Sequence, residues 1–204
     1  TARDGFVMEA MMIKPPDFDP SRRYPVFQHT YGGPHSQQVR NVWGGSATLF
    51  YQVLAQHGVI VWVMDNRTAS GKGAVSTWPV YQNFGELELR DIEDGVAWLT
   101  EQSWVDPARI GIEGWSYGGY MTAWAIGQTD RVKAAAWGAG GCDLYSHYAY
   151  TDNNVQRYTE MGGSPWELRD LYLRLSPLTY VDRVHTPLLM LHGEADMRCN
   201  TMQA

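Results

Sequence analysis

The 204-residue chain carries a formal net charge of −6, and 44% of its residues are hydrophobic. This length and composition suit a single domain, residues 1–204, with a full core. The basic residues form no block, which argues against nucleic acid and anionic membranes as partners. No apolar run reaches about 18 residues, so no membrane span is predicted. Cys142 and Cys199 predict free thiols. No cofactor or metal is predicted, and the sequence assigns no compartment.

The first half of the chain alternates between predicted strands and helices. The predicted elements are an edge strand over residues 6–13, a strand over 25–31 ending in a Gly32-Gly33-Pro34 loop, a helix over 49–57 stopped by Gly58, a strand over 59–64, a loop over 68–81 and a helix over 86–102. Residues 59–64 are continuously apolar, which is typical of a strand buried on both faces of a parallel sheet. Acidic residues near the start of the last helix predict a solvated face favoured by the helix dipole: Glu86, Glu88, Asp91, Glu93 and Asp94.

The second half continues this alternation. The predicted elements are a strand from residue 109, a helix ending near 128, a strand over 132–137, an irregular polar and aromatic stretch over 145–160, a helix beginning at Ser164 as N-cap, and a buried strand over 187–192. Strands that alternate with helices predict an α/β fold whose mostly parallel sheet is flanked by helices.

A Gly-x-Ser-x-Gly motif at residues 114–118 organises the prediction of function. The motif follows a predicted strand and precedes a predicted helix, which is the context of the nucleophile elbow in α/β-hydrolases. This tight turn would expose the Ser116 hydroxyl at the carboxyl edge of the sheet. Side chains at Gly114 or Gly118 would crowd the turn. Ser116 is therefore the candidate nucleophile, and a solvated serine in a glycine-rich turn is the alternative.

Other predicted strands also end in polar residues at this edge. Tyr31, Asp65 and Asp196 follow three of them, and ligands in α/β folds bind beyond the carboxyl ends of the strands. Asp196 comes after Ser116 in the chain, as the acid of an α/β-hydrolase triad does. Such an acid orients an imidazole. The alternative is an aspartate that only closes a turn.

Several motifs together resemble the prolyl oligopeptidase family of serine peptidases. Gly-Trp-Ser-Tyr-Gly-Gly-Tyr at residues 114–120 resembles the nucleophile motif of that family, and Thr-Tyr-Gly-Gly-Pro-His at 30–35 resembles its oxyanion-hole strand end. Asp-Asn-Arg at 65–67 and His-Gly-Glu-Ala-Asp at 192–196 match two further signatures. The resemblance covers essentially the whole chain. The first two thirds of the chain, notably residues 86–91, look closest to the dipeptidyl peptidase IV branch, whereas residues 158–199, notably 176–181, look closer to the acylaminoacyl peptidase branch.

The resemblance implies roles for individual residues. The Tyr31 hydroxyl and the Tyr117 backbone N–H would donate hydrogen bonds to the oxyanion, and Arg198 would meet a substrate carbonyl. An apolar pocket would bind the substrate residue before the scissile bond, built from Trp137, Tyr145 and Tyr148. Core packing is the alternative for Tyr31 and the pocket residues, and solvent exposure is the alternative for Arg198. The family usually shows Gly-Ser where this chain has Thr-Ala at residues 68–69.

No histidine follows Asp196 in the sequence. The family places its triad histidine after one more strand and follows it with a last helix, so we expect a fold truncated at the C-terminus. We also expect a β-propeller domain in the same full-length chain. Without the last strand, the strand over residues 187–192 would expose an edge that could support a homodimer.

Three functions remain open from the sequence. The first is a serine peptidase that cleaves oligopeptides through an acyl-enzyme on Ser116, as a dipeptidyl or aminoacyl exopeptidase. The second is a carboxylesterase or lipase on the same fold, because fold does not determine substrate. The Tyr31-Gly32-Gly33-Pro34 loop favours the peptidase, since lipases usually have a His-Gly-Gly-Gly loop there. The third is a binding module that has lost its histidine.

Overall fold

The computed structural model describes residues 1–33, 35–42 and 46–204, with only the backbone described for residues 46–48. Pro34, which belongs to the predicted loop after the second strand, lies outside the described residues.

A single sheet runs through the described part of the chain. Its strands are β1 (Glu9–Ile13), β2 (Tyr24–His29), β3 (Ile60–Asp65), β4 (Val105–Trp115), β5 (Ala134–Gly138) and β6 (Leu188–Leu191). Their spatial order is β1-β3-β2-β4-β5-β6. β1 pairs antiparallel with β3, and every other pairing is parallel. The predicted mostly parallel sheet is therefore confirmed.

Helices cover both faces of this sheet. Their bounds are α1 (Ser46–Gln56), α2 (Ala74–Thr77), α3 (Glu86–Thr100), α4 (Tyr117–Gln128), α5 (Leu144–Tyr150), α6 (Asn154–Met161) and α7 (Arg169–Arg174), with short 3-10 helices over Trp78–Val80, Pro177–Arg183 and Thr201–Gln203. None of these helices is long and apolar enough to cross a membrane.

Alternation along β3 explains why the sheet has helices on both sides. Trp62 and Met64 pack into the larger core together with residues of α3 and α4. Val61 and Val63 point the other way and pack with Tyr51 of α1. All six residues of β3 are buried, as the continuous apolar run predicts.

Three predictions of local structure were wrong. The predicted loop over residues 68–81 contains α2 and a 3-10 turn, and the irregular stretch over 145–160 forms α5 and α6. Ser164 does not cap a long helix. Its hydroxyl donates to the Glu167 carboxylate at 2.6 Å within a single turn, and α7 begins only at Arg169.

The predicted strand over residues 187–192 is present as β6, but the prediction that it is buried was wrong. β6 is exposed along its whole length, and Leu189 is 57% exposed. β6 pairs with β5 on one side. Within the described residues, no strand pairs with its other edge, and its aliphatic side chains also lack the cover that the other parallel strands have.

Candidate active site

Ser116 occupies a strained turn between β4 and α4. Its φ and ψ angles are 59° and −116°, a conformation that L-residues rarely adopt. The turn is held by hydrogen bonds on both sides, because the Ser116 N–H donates to the Gly138 carbonyl at 2.8 Å and the Tyr120 N–H donates to the Ser116 carbonyl at 3.0 Å. The strand–turn–helix context that the motif predicts is therefore present.

The motif glycines are required because backbone segments touch there. A Cβ atom at Gly114 would lie 2.3 Å from the Gly118 carbonyl oxygen, and one at Gly118 would lie 2.3 Å from the Thr30 carbonyl oxygen. Real Cβ contacts are not that short. The elbow thus packs directly against the end of β2, and this brings Tyr31 next to Ser116.

Tyr31 and Ser116 line one cleft with a volume of about 160 Å³. The Tyr31 and Tyr117 rings lie 6.4 Å apart between centroids. Gly33 separates them, since a Cβ atom there would lie 2.7 Å from the Tyr31 ring and 3.1 Å from the Tyr117 ring. The absence of a side chain at Gly33 therefore allows the Tyr31 and Tyr117 rings to pack on either side of it.

The Tyr117 backbone N–H is at the first position of α4, where a helix leaves its N–H groups without intrahelical acceptors. Among the described residues, no backbone carbonyl accepts from it. The positive end of the helix dipole adds to this group's attraction for a developing negative charge.

The loop after β3 supports the Tyr31 side of the cleft. The Gly32 carbonyl accepts hydrogen bonds from the Thr68 hydroxyl at 2.8 Å and from the Asn66 amide at 3.3 Å. Arg67 fixes this loop through two hydrogen bonds from its guanidinium to Asp91, at 2.6 and 2.9 Å. Asp65 accepts from two backbone N–H groups of the loop after β2, and burial raises its pKa.

The acidic start of α3 is only in part the predicted solvated face, because Glu86 is exposed and Glu93 and Asp94 are half-buried, whereas two other carboxylates are not solvated. Glu88 and Asp91 are both completely buried. Asp91 pairs with Arg67, and Glu88 accepts a hydrogen bond from the Tyr117 hydroxyl at 2.8 Å. Burial raises the pKa of Glu88 to about 7. Helical periodicity placed these side chains near a polar face, and their partners come from distant parts of the chain.

Asp196 lies in the loop after β6. Its Oδ1 accepts hydrogen bonds from the backbone N–H groups of Arg198 and Cys199, both at 2.9 Å. The other oxygen, Oδ2, lies 3.7 Å from His192 Nε2. His192 Nε2 also lies 2.5 Å from the Cys199 carbonyl oxygen. That contact requires the proton on Nε2, so this nitrogen is not available as a base.

The structure places one of the four predicted substrate-binding residues in the cleft and the other three outside it. Arg198 lines the cleft, and its guanidinium is paired with Asp152. Trp137, Tyr145 and Tyr148 do not line it, and this corrects the predicted pocket. Trp137 is completely buried, with its ring 5.3 Å from the His192 ring. Tyr148 packs edge-on against Trp166 and Tyr172, and Tyr145 lies on α5 outside the cleft.

Residues that the sequence did not single out form much of the cleft wall. They belong mainly to α5, α6 and their connection: Leu144, His147, Thr151, Gln156, Arg157 and Glu160. His147 is 6% exposed, and burial lowers its pKa to about 4. The ring is therefore neutral at pH 7. The only signal in the sequence was that hydrophobic residues over 145–160 follow no regular period, and this did not indicate a cleft wall.

Comparisons with known proteins fit this geometry. The sequence profile of the prolyl oligopeptidase family matches residues 46–204. The chain belongs to the prolyl oligopeptidase family. Dipeptidyl-peptidase 5 of Porphyromonas gingivalis is 32% identical over 206 residues, which cover 98% of this chain and 30% of that protein. The chain spans less than a third of the length of such relatives.

Solved structures of family members superpose on the whole fold. Porphyromonas gingivalis dipeptidyl peptidase 4 matches with a TM-score of 0.88 and 30% identity, covering 99% of this chain and 28% of that one. The acylaminoacyl peptidase of Pyrococcus horikoshii matches with a TM-score of 0.84 and 30% identity, covering 96% and 31%. The fold of the chain is thus the α/β-hydrolase fold of serine peptidases in this family.

Proposed function

We propose that Ser116 is the nucleophile of a serine peptidase that cleaves oligopeptides near their N-terminus, as a dipeptidyl or aminoacyl exopeptidase. The observation that carries this proposal is the strained Ser116 turn, which shares one cleft with Tyr31 and the first N–H group of α4. Relatives named dipeptidyl peptidase and acylaminoacyl peptidase support the peptidase class.

In the proposed reaction the Ser116 oxygen attacks the scissile carbonyl carbon while a base takes the hydroxyl proton. The oxyanion accepts hydrogen bonds from the Tyr31 hydroxyl and the Tyr117 N–H. The base then gives its proton to the leaving amine as the C–N bond breaks, and water hydrolyses the ester on Ser116. Asp196 orients the base through Oδ2, because Oδ1 is already held by two backbone N–H groups.

We propose that the base is a histidine encoded beyond Ala204. His192 is committed to the Cys199 carbonyl. His147 lines the cleft, but its lowered pKa makes the buried ring a weak base at neutral pH. Residues 1–204 alone should therefore turn over about 10⁴–10⁶ times more slowly than a longer gene product carrying that histidine. Comparable activity in both would assign the base to a histidine within residues 1–204.

We further propose that Arg198 meets a peptide carbonyl of the substrate, since it lies in the cleft beside Ser116. A β-propeller domain in the same full-length chain would restrict entry to oligopeptides. This part of the proposal is supported by the short share of the relatives' length that the chain covers.

The nucleophile can be tested by labelling the full-length gene product with a fluorophosphonate. The probe should react with Ser116, and Ser116→Ala should abolish labelling. Ser146→Ala is the matched control, because Ser146 is hydrogen-bonded to Asp143 and Gln203 outside the cleft lining. Labelling that persists in Ser116→Ala contradicts the proposal, and a wild type that never reacts favours the binding module.

Substrate profiling and Tyr31→Phe test the rest of the proposal. Tyr31→Phe should lower kcat by about 10²–10³ with little change in KM, as expected for a contact made only in the transition state.

Chromogenic dipeptide and acyl-aminoacyl substrates should be cleaved faster than p-nitrophenyl acyl esters relative to their uncatalysed rates. Ester turnover without peptide cleavage would favour the esterase.

A further inference from the structure

Glu88 uses its two carboxylate oxygens for two different contacts. Oε2 accepts a hydrogen bond from the Gly85 N–H at 3.1 Å, which caps the start of α3. Oε1 accepts one from the Tyr117 hydroxyl at 2.8 Å. The side chain is completely buried, so water does not replace either contact when it is lost. One carboxylate thus joins α3 to the residue that follows the nucleophile.

The Tyr117 ring is the element that connects Glu88 to the cleft. Its hydroxyl end is held by Glu88, and its ring packs edge-on against Phe84 at 6.1 Å and lies 5.2 Å from the Tyr120 ring. The other end of the ring, at Cγ and Cδ1, borders Gly33, and the Tyr31 ring lies 6.4 Å away between centroids. The ring is thus attached to the residue whose N–H is one candidate oxyanion donor and packs near Tyr31, which carries the other, so a shift of the ring would disturb both.

An oxyanion hole stabilises the transition state only if its donors are already in place. We propose that Glu88 is a positioning residue of the oxyanion hole, acting through the Tyr117 phenol on the N–H group that follows Ser116. This inference rests on the proposed function of Ser116. Capping of α3 alone does not require it, because the cap uses only one of the two oxygens.

A double-mutant cycle on the full-length gene product tests the proposal. Glu88→Gln keeps the shape of the side chain but leaves one acceptor oxygen for two donors, and Tyr117→Phe removes the hydroxyl from the other side. Each variant should lower kcat about tenfold to a hundredfold and change KM by less than about threefold. The double variant should be no more than about threefold slower than the slower single variant, because both changes break the same contact.

Asp91→Asn is the matched control. Asp91 is an equally buried carboxylate on the same helix, but it pairs with Arg67 instead of Tyr117. Its effect on kcat should multiply with that of Tyr117→Phe. Multiplicative effects of Glu88→Gln and Tyr117→Phe would overturn the proposal, as would a Glu88→Gln variant that loses thermal stability with kcat unchanged.

Two further outcomes are decisive. If Glu88→Gln fails to fold, Tyr117→Phe alone tests the contact without changing α3, and a wild-type kcat in that variant overturns the proposal. If Ser116→Ala does not abolish turnover, that result contradicts the proposed function itself and removes the basis of the inference. Loss of turnover in Ser116→Ala, combined with multiplicative effects at Glu88 and Tyr117, contradicts the positioning role alone.

Discussion

The start of α3 buries charged side chains, whereas the strand β6 exposes apolar ones. Glu88 and Asp91 are completely buried in the first two turns of α3, whereas the four aliphatic residues of β6 are 38–57% exposed. The carboxylates are buried because Arg67 and Tyr117 reach them with hydrogen bonds from elsewhere in the chain. The β6 side chains are exposed because the described elements leave the faces of this strand largely uncovered, and β5 is its one described strand partner. Burial is therefore determined by long-range partners more than by residue polarity.

The two regions also differ in what they support. The buried carboxylates lie behind the cleft, where Asp91 holds the Arg67 loop against Gly32 and Glu88 holds Tyr117. β6 pairs with β5 and leads into the loop that carries Asp196. The candidate nucleophile and the candidate oxyanion donors consequently rest on a buried, hydrogen-bonded interior, while the candidate triad acid follows the least covered strand of the described sheet.

The largest expected effect is at Asp91. Asp91→Ala leaves the Arg67 guanidinium in a buried position without its main partner, and this should lower the free energy of unfolding by about 3–5 kcal/mol. Glu86→Ala is the matched control on the same helix. Glu86 is exposed and pairs with Arg174 at the surface, so its loss should be at most about 1 kcal/mol. Urea unfolding at pH 7 measures both. Equal losses would show that the Asp91 pair is not buried in solution.

Glu88 predicts a pH dependence of stability. Its pKa is about 7 in the folded chain and 4.5 ordinarily, chiefly because of burial. The folded state therefore holds a proton that the unfolded state has released between these values. Relative to Glu88→Gln, the wild type should lose about 3 kcal/mol of unfolding free energy as pH rises from 4.5 to 7. The charged or titratable groups around the site are Asp91 on α3, Tyr117 and Tyr120 on α4, and Arg157 on α6.

Glu167→Gln is the control for the sign of this effect. Hydrogen bonds from Ser164 lower the pKa of Glu167, so its contribution to stability is present above the ordinary pKa and is lost as pH falls. The unfolding free energy of the wild type minus that of Glu167→Gln should therefore rise with pH, whereas the corresponding difference for Glu88→Gln should fall. If the difference between the wild type and Glu88→Gln also rose with pH, that result would contradict the burial of Glu88.

Features encoded within a few neighbouring residues could be predicted from the sequence. The Ser116 turn follows from glycines at positions 114 and 118 between a strand and a helix, and the buried strand β3 follows from its continuous apolar run. The locations of Tyr31 and Ser116 in one cleft followed from the rule that parallel strands end at the same edge.

Features that depend on distant partners could not be predicted. The burial of Glu88 depends on Tyr117, which is 29 residues away in the chain. The family resemblance placed Trp137 in the pocket, yet its ring is completely buried and lies against His192. The true cleft wall on α5 and α6 was missed because those short helices mix exposed, buried and cleft-lining residues without a regular period.

The smallest expected effect on stability is at the exposed strand. Leu189→Lys in the 204-residue chain should change the free energy of unfolding by less than about 0.5 kcal/mol, because a half-exposed side chain loses little contact. Leu175→Ala, at a completely buried position, should cost about 2–5 kcal/mol in the same urea titration.

The lysine at position 189 should also reduce concentration-dependent self-association in sedimentation velocity, since charged side chains protect an open sheet edge from pairing. A loss of several kcal/mol in Leu189→Lys would instead mean that β6 is covered in solution. Dependence of that loss on protein concentration would then identify a second copy of the chain as the cover, and the homodimer that the sequence analysis considers would pair through this strand.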